Sequence, residues 1–257
     1  MKINAQGPQS HVTDLSSLNL SAVQKLLEKS LDGNYVEVTD DTFYLLDVST
    51  FQGVGYQSIL IQRCGMMYKS LETTNKLLEN FSKKQFSAHE VTNFVAETLN
   101  YKQKIPYLIG DRAVIPDIGY TKKPASWLVL NQVQHSSFNF EKKLIYLSSQ
   151  TGFNLVIYMS KDQFEKQVER AAHIYKIKLI LHKQMIKSYR YCYQMPLLKG
   201  ANIFDEAVER VSYAYPCYAH NEIIQDMKER VVTKKLKEVL GEGNPFYDDY
   251  IQKMKLK

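Results

Sequence analysis

Cysteine is scarce in this chain: Cys64, Cys192 and Cys217 are the only three in 257 residues. Thiols so few and so scattered build neither a disulfide framework nor a paired-cysteine zinc site, and an odd number leaves one unpaired, so reduced thiols are expected. Long apolar runs are lacking as well. No stretch approaches the roughly 18 residues of a membrane span, because Lys, Asp or Gln interrupts each candidate. The opening residues, MKINAQGPQSHVTD, have no basic start leading into an apolar segment. No secretory signal is therefore expected, and the chain is expected in the cytoplasm without a membrane partner.

Catalytic signatures are missing too. There is no Gly-rich phosphate loop ending in Lys-Ser/Thr, no dinucleotide fingerprint, no His-Glu-x-x-His and no Gly-x-Ser-x-Gly. No cofactor or metal is expected. His173 and His182 are nine positions apart, too far to chelate from one helical face. His135 sits beside Ser136 and Ser137, but adjacent strand residues point to opposite faces and sequence adjacency is not the geometry a general base needs. Glu165 and Glu169 are interleaved with Lys161, Lys166 and Arg170, a pattern of helix-surface ion pairs. The remaining paired carboxylates, Asp40 with Asp41 and Asp248 with Asp249, are adjacent residues in expected loops, a poor start for the clustered ligands of a metal-dependent nuclease. An enzyme is not expected.

What the chain does have is a globular composition, 44% hydrophobic and 23% charged, with a net charge of +6. That charge is uneven. Residues 58–200 hold 21 basic and 10 acidic side chains, a net +11, between two slightly acidic ends. A positive middle of this size attracts polyanions, and surface lysine also serves solubility.

Periodicity gives a coarse order. Leu20, Val23, Leu27 and Leu31 have helical spacing ahead of Gly33 and Asn34. Residues 35–38, 42–48 and 58–64 are short, aromatic and β-branched, and read as strands. Residues 70–82 and the segment opened by the capping-box spacing of Ser87 and Glu90 read as two helices. Strand character returns at 107–110, 113–116, 127–133, 142–148 and 153–159, with Ser149-Gln-Thr-Gly152 as a hairpin turn. A second capping-box spacing, Ser160 with Gln163, opens a helix expected to run to about residue 193. Further helices are expected at 202–214 and 220–240. The fold class is thus α+β: a predominantly antiparallel sheet in the middle of the chain, an inserted helical pair and a helical C-terminal third. The division expected is a helical extension over 1–34, an α+β domain over 35–195 and a helical region over 196–257.

One segment carries a resemblance. Pro106-Tyr-Leu-Ile109 is followed by Ile115-Pro116, a Lys122-Lys123-Pro124 loop and the single tryptophan, Trp127, opening a strand. Then comes Ser160-Lys-Asp-Gln163-Phe164-Glu165-Lys-Gln167-Val168-Glu-Arg170-Ala171-Ala172. This order is similar to the ComK competence transcription factors, whose strand and Ser precede Phe-Glu-x-Gln-Val-x-Arg-x-Ala. Upstream, Cys64 and Ser70 match a Cys-to-Ser spacing of the family, while Lys69 and Lys76 stand where it has a Gly-Arg loop. The resemblance implies a cytoplasmic transcriptional activator of DNA-uptake genes. It further implies binding to paired A/T-rich boxes of double-stranded DNA, largely through the minor groove, as a dimer or higher homo-oligomer. Turnover through an adaptor of a Clp protease is implied as well.

The physical counterpart is a set of cations able to enter a narrow A/T minor groove, whose negative potential is enhanced, or to meet phosphates. Lys122 and Lys123, beside Pro124, are the first candidates, then Arg63. Arg170, Lys176, Lys178, Lys183, Lys187 and Arg190 form the longest basic tract, with Arg170 either a DNA contact or a structural partner. Trp127 is expected as a core anchor, because duplex DNA offers no unstacked base to meet it. Tyr175, Tyr189, Tyr191 and Tyr193 are expected to pack. The apolar residues of the C-terminal third serve an oligomer face, an adaptor surface or the core. The alternative reading of the whole is a protein-interaction module with little DNA affinity that engages a protease adaptor.

Overall fold

Strands with alternating apolar residues on both faces need cover on both, and this requirement organises the molecule. The computed structural model describes residues 12–33, 36–84, 89–119, 124–188 and 202–211, together with Glu229 and Thr233. Its elements are β1 (Val12–Asp14), α1 (Leu20–Lys29), β2 (Leu31–Asp32), β3 (Thr42–Asp47), β4 (Ser58–Gln62), β5 (Met67–Ser70), α2 (Thr74–Lys84) and α3 (His89–Thr98). There follow β6 (Tyr107–Ile109), β7 (Arg112–Pro116), β8 (Trp127–Val129), a 3-10 turn (Leu130–Gln132), β9 (Val133–Asn139), β10 (Leu144–Ser149), β11 (Asn154–Tyr158), α4 (Lys161–Ser188) and α5 (Ile203–Arg210). The class is α+β. Among the described residues, no helix is long and apolar enough to cross a membrane.

There are two sheets rather than the single one expected. Seven strands run in the order β2-β5-β4-β3-β8-β7-β6 and four in the order β1-β11-β10-β9. Pairing is antiparallel except for β1 with β11 and β2 with β5. On β4, Leu60 faces one cluster while Ile59 and Ile61 face the other, the period of two that a sheet buried on both sides requires. A register shift between Thr42 and Tyr44 marks Phe43 as the extra residue of a bulge, so Phe43 and Tyr44 both join the second cluster.

Leu77, Leu78 and Phe81 of α2 close the first face over Leu45, Leu60, Val129 and Trp127. Trp127 is fully buried there, in edge contact with Tyr107 at 5.1 Å, and its indole N–H donates to Asn75 Oδ1 at 3.2 Å. It is the core anchor its sequence context suggested. The opposite face of the same sheet packs with α3, the inner side of the four-stranded sheet, and Phe164, Val168, Ala171 and Ala172 of α4. The two inserted helices therefore lie on opposite faces instead of side by side.

Several elements depart from the sequence expectation for local reasons. Residues 127–133 break after Val129, because Leu130 and Val133 are both buried, a spacing met by a helical turn and not by a strand. That turn carries the chain from the large sheet to the small one. Residues 67–70 form a strand, and the helix expected from residue 70 begins at Thr74, where the Thr73 hydroxyl accepts from the Lys76 N–H at 3.3 Å. Residues 36–38 form no strand; Val38 instead packs with α2. Residues 134–139, polar enough to pass for a loop, belong to β9.

The first and the last long described stretches both join this core. Residues Val12–Asp14 extend the small sheet alongside β11, and Val23 and Leu27 of α1 enter the larger cluster, so 12–33 packs into the same unit as the strands and helices after it. Helix α5 adds Phe204, Ala207 and Val208 to that cluster, with Tyr175 against Phe204 at 5.3 Å. Of the helix expected at 220–240 only Glu229 and Thr233 are described, both helical; its other residues lie outside the described ones.

Candidate nucleic-acid interface

The segment between Asp117 and Ser126 carries the Lys122-Lys123-Pro124 sequence, and its two ends are fastened together. The Asp117 N–H donates to the Ser126 carbonyl at 3.0 Å, and the Asp117 carboxylate accepts from the N–H groups of Ile118 at 2.7 Å and Ser126 at 3.0 Å. The Ser126 hydroxyl in turn accepts from the Asp47 N–H at 3.1 Å, tying this root to β3. Tyr44 is buried beneath it, and burial first, then the Asp117 charge, push its phenol well above the ordinary range.

Helix α4 holds the same root from its other side. Gln163, Gln167 and Arg170 fall on one helical stripe, at i, i+4 and i+7. The Gln163 amide donates to the Asp117 carbonyl at 2.7 Å, and the Gln167 amide to the Pro116 carbonyl at 3.0 Å. The Arg170 guanidinium donates to the Gln103 carbonyl and lies over the Tyr101 ring, 4.8 Å from its centroid. Lys104 adds a bond from its ammonium to the Asp117 carbonyl at 2.8 Å. Ser160 does cap α4, accepting from the Gln163 N–H at 3.3 Å. The Gln163 side chain, which a capping box would turn back to residue 160, is used on Asp117 instead.

Asp117 is the electrostatic weak point of this root. Burial pushes its carboxyl up to about 6, against the pull of the two backbone N–H bonds and of Lys104. Since the folded value lies above the ordinary 3.8, the folded protein binds this proton more tightly than the unfolded chain does. The stabilisation so gained is complete below about pH 4 and is lost as pH rises through about 6. Asp117→Asn keeps the acceptor oxygen and removes the titration. Wild type is therefore expected to gain about 2–3 kcal/mol relative to the variant between about pH 7 and about pH 4, read from urea unfolding at both values. Parallel stability profiles would show that the carboxyl is not desolvated.

The remaining sequence candidates divide sharply. Arg170, Lys176 and Lys178 all turn inward. Lys176 donates to the Val211 carbonyl at the end of α5. Lys178 donates to the Leu108 carbonyl at 2.9 Å and to the Thr92 hydroxyl at 3.2 Å, and burial lowers its ammonium to about 8. In the structure the cations of these three bond carbonyls of β6, the 103–104 turn and the end of α5, which for Arg170 is the structural one of the two roles left open by the sequence. Arg63 is paired with Asp41 at 2.8 Å, and its carbonyl accepts from the Ser149 hydroxyl at 2.7 Å, which links the turn after β4 to the small sheet. Lys183 is exposed. Lys122, Lys123, Arg190 and the side chain of Lys187 lie outside the described residues.

Of the two acidic pairs weighed for metal chemistry, the first is taken up by cations, Asp41 by Arg63 and Asp40 by Arg112, and Asp248 with Asp249 lies outside the described residues. Among the described residues no group of three or more His, Cys, Asp or Glu is arranged to hold a metal ion. Sequence reading missed Asp117, Ser126, Gln163 and Gln167 as the fastening of the loop. The one trace of it in the sequence is the i, i+4 spacing of Gln163 and Gln167, which by itself does not distinguish a buried partner from a solvated face. No family model, curated protein or solved structure matches this chain.

Proposed function

We propose that the chain is a double-stranded DNA-binding transcriptional regulator of the competence type, acting in the cytoplasm as a homo-oligomer on A/T-rich sites. The observation that supports it best is the fastened root at Asp117 and Ser126, from which the Lys122-Lys123-Pro124 segment departs. Pinning both ends of a short basic loop lowers the entropy lost when its lysines meet a groove or a phosphate. The net +11 of residues 58–200 supports the same reading through long-range attraction.

The inward bonds of Arg170, Lys176 and Lys178 reduce the cations available to DNA. With about four phosphates neutralised, affinity should fall about a hundredfold between 50 and 200 mM salt. The test is an anisotropy titration of the whole protein on A/T-rich and G·C-rich duplexes of equal length across that range. Preference for the A/T duplex with this salt dependence is the expected result; indifference to both base composition and salt would sink the reading.

A further inference from the structure

Among the described residues, the small sheet ends on a long edge strand, with α5 packed near it. Strand β9 has seven residues, Val133–Asn139, and in the strand order it stands last, with β10 as its one ladder partner there. An edge strand leaves every second backbone N–H and C=O pointing away from the sheet. Natural edges are commonly protected by lysine, proline, a bulge or a short length; β9, reading Val-Gln-His-Ser-Ser-Phe-Asn, has no lysine or proline, and its one bulge, at Gln134 between the Val133 and His135 pairings, leaves His135–Asn139 in regular register.

Beside that edge lies a groove of about 530 Å³. Phe138, Phe164, Val168, Ile203 and Ala207 form its apolar lining. Ser136 and Phe138 belong to β9 itself, on its inward face, and Phe138 meets Phe164 at 5.8 Å between ring centroids. The rim holds Glu165 and Glu169 from α4 and Glu206 from α5 against the cation Arg210, with Lys161 paired to Glu165 at 3.6 Å, so it stays acidic by the margin of Glu169 and Glu206 over Arg210. Helical geometry sets Glu165 and Glu169 roughly opposite the stripe of Gln163, Gln167 and Arg170, so this surface is separate from the loop root.

An edge that offers backbone bonds, flanked by an apolar groove, is the arrangement by which an extended peptide adds to a sheet. Backbone bonds then supply affinity, and alternate side chains falling into the groove supply selectivity. The acidic rim selects the charge. We propose that β9 and this groove form a strand-addition site for an extended segment of another protein whose groove-facing positions are apolar and flanked by lysine or arginine. The stems of those flanking residues cover apolar surface while their charges reach the glutamates. This proposal is independent of DNA binding.

A labelled peptide, Lys-Thr-Val-Thr-Ile-Thr-Lys, places Lys, Val, Ile and Lys on one face and matches β9 in length. Titrated with the full chain, it is expected to give saturable anisotropy, with the version carrying Glu at both ends binding about tenfold more weakly. The exposed pair Glu165→Lys with Glu169→Lys should abolish that preference. N-methylation of alternate peptide amides should remove binding, and amide exchange across residues 133–139 should slow when the unmodified peptide is bound. Equal affinity for the two peptides, or binding without added protection in β9, overturns the proposal. So does protection, in the free protein, of the β9 amides that point away from β10: if independent of concentration it assigns the edge to this chain's own remaining residues, and if it grows with concentration, to a second copy.

Discussion

Changing Lys122 and Lys123 together to glutamate lowers affinity for an A/T-rich duplex by about a hundredfold at moderate salt and leaves the unfolding midpoint unchanged. Each lysine that meets a phosphate contributes about one unit of the salt slope, so the slope should fall by about two. Reversing the charge adds repulsion to the lost attraction, which takes the effect beyond simple removal. Stability is expected to hold because the root beneath the loop is fastened by backbone atoms and by Asp117, Ser126, Gln163 and Lys104, none of which is altered. Filter binding across a salt series and a thermal melt are sufficient. Unchanged affinity would remove the loop from the interface and leave the protein-interaction reading as the stronger one.

Arg170→Ala should have the opposite signature, a loss of about 2–4 kcal/mol of stability with no change in DNA affinity for the folded protein. Its guanidinium donates to the carbonyls of Gln103 and Lys104 and covers the Tyr101 ring. Hydrogen bonds to a charged donor contribute about 1.5–3 kcal/mol and a cation over an aromatic face about 0.5–2. The buried Nε hydrogen of Arg170 has no partner among the described residues, which offsets part of that gain. Urea unfolding together with a titration on duplex DNA separates the two roles. A stable variant with weakened DNA binding would return Arg170 to the interface.

The contrast between these two variants reflects how the sequence could and could not be read. The tract from Arg170 to Lys187 is basic and helical, and both properties are visible in the residues themselves. Its direction is not. The motif from Phe164 to Ala172 shows its apolar stripe plainly, and Phe164, Val168, Ala171 and Ala172 are all buried. The polar stripe formed by Gln163, Gln167 and Arg170 gives no comparable signal, since a glutamine is as ordinary on a solvated helix face as against a buried carbonyl. Strand β9 was hidden for a related reason: as an edge it buries little, so its serines and histidine imitate a loop. The 3-10 turn at Leu130 was hidden by the apolar run around it, in which a strand and a buried turn have the same composition.

Sequence by itself determined the types of most elements among the described residues, the α+β class, the burial of Trp127 and the concentration of positive charge in the middle. Those properties depend on neighbours a few residues away, where periods of 2 and 3.6 are set. Tertiary structure alone decided that there are two sheets, that the inserted helices lie on opposite faces, and where the cations of α4 are used. Arg170, Lys176 and Lys178 reach carbonyls 67, 35 and 70 positions away in the chain. A buried carbonyl must be bonded wherever packing leaves it, and packing over such separations is not written in local pattern.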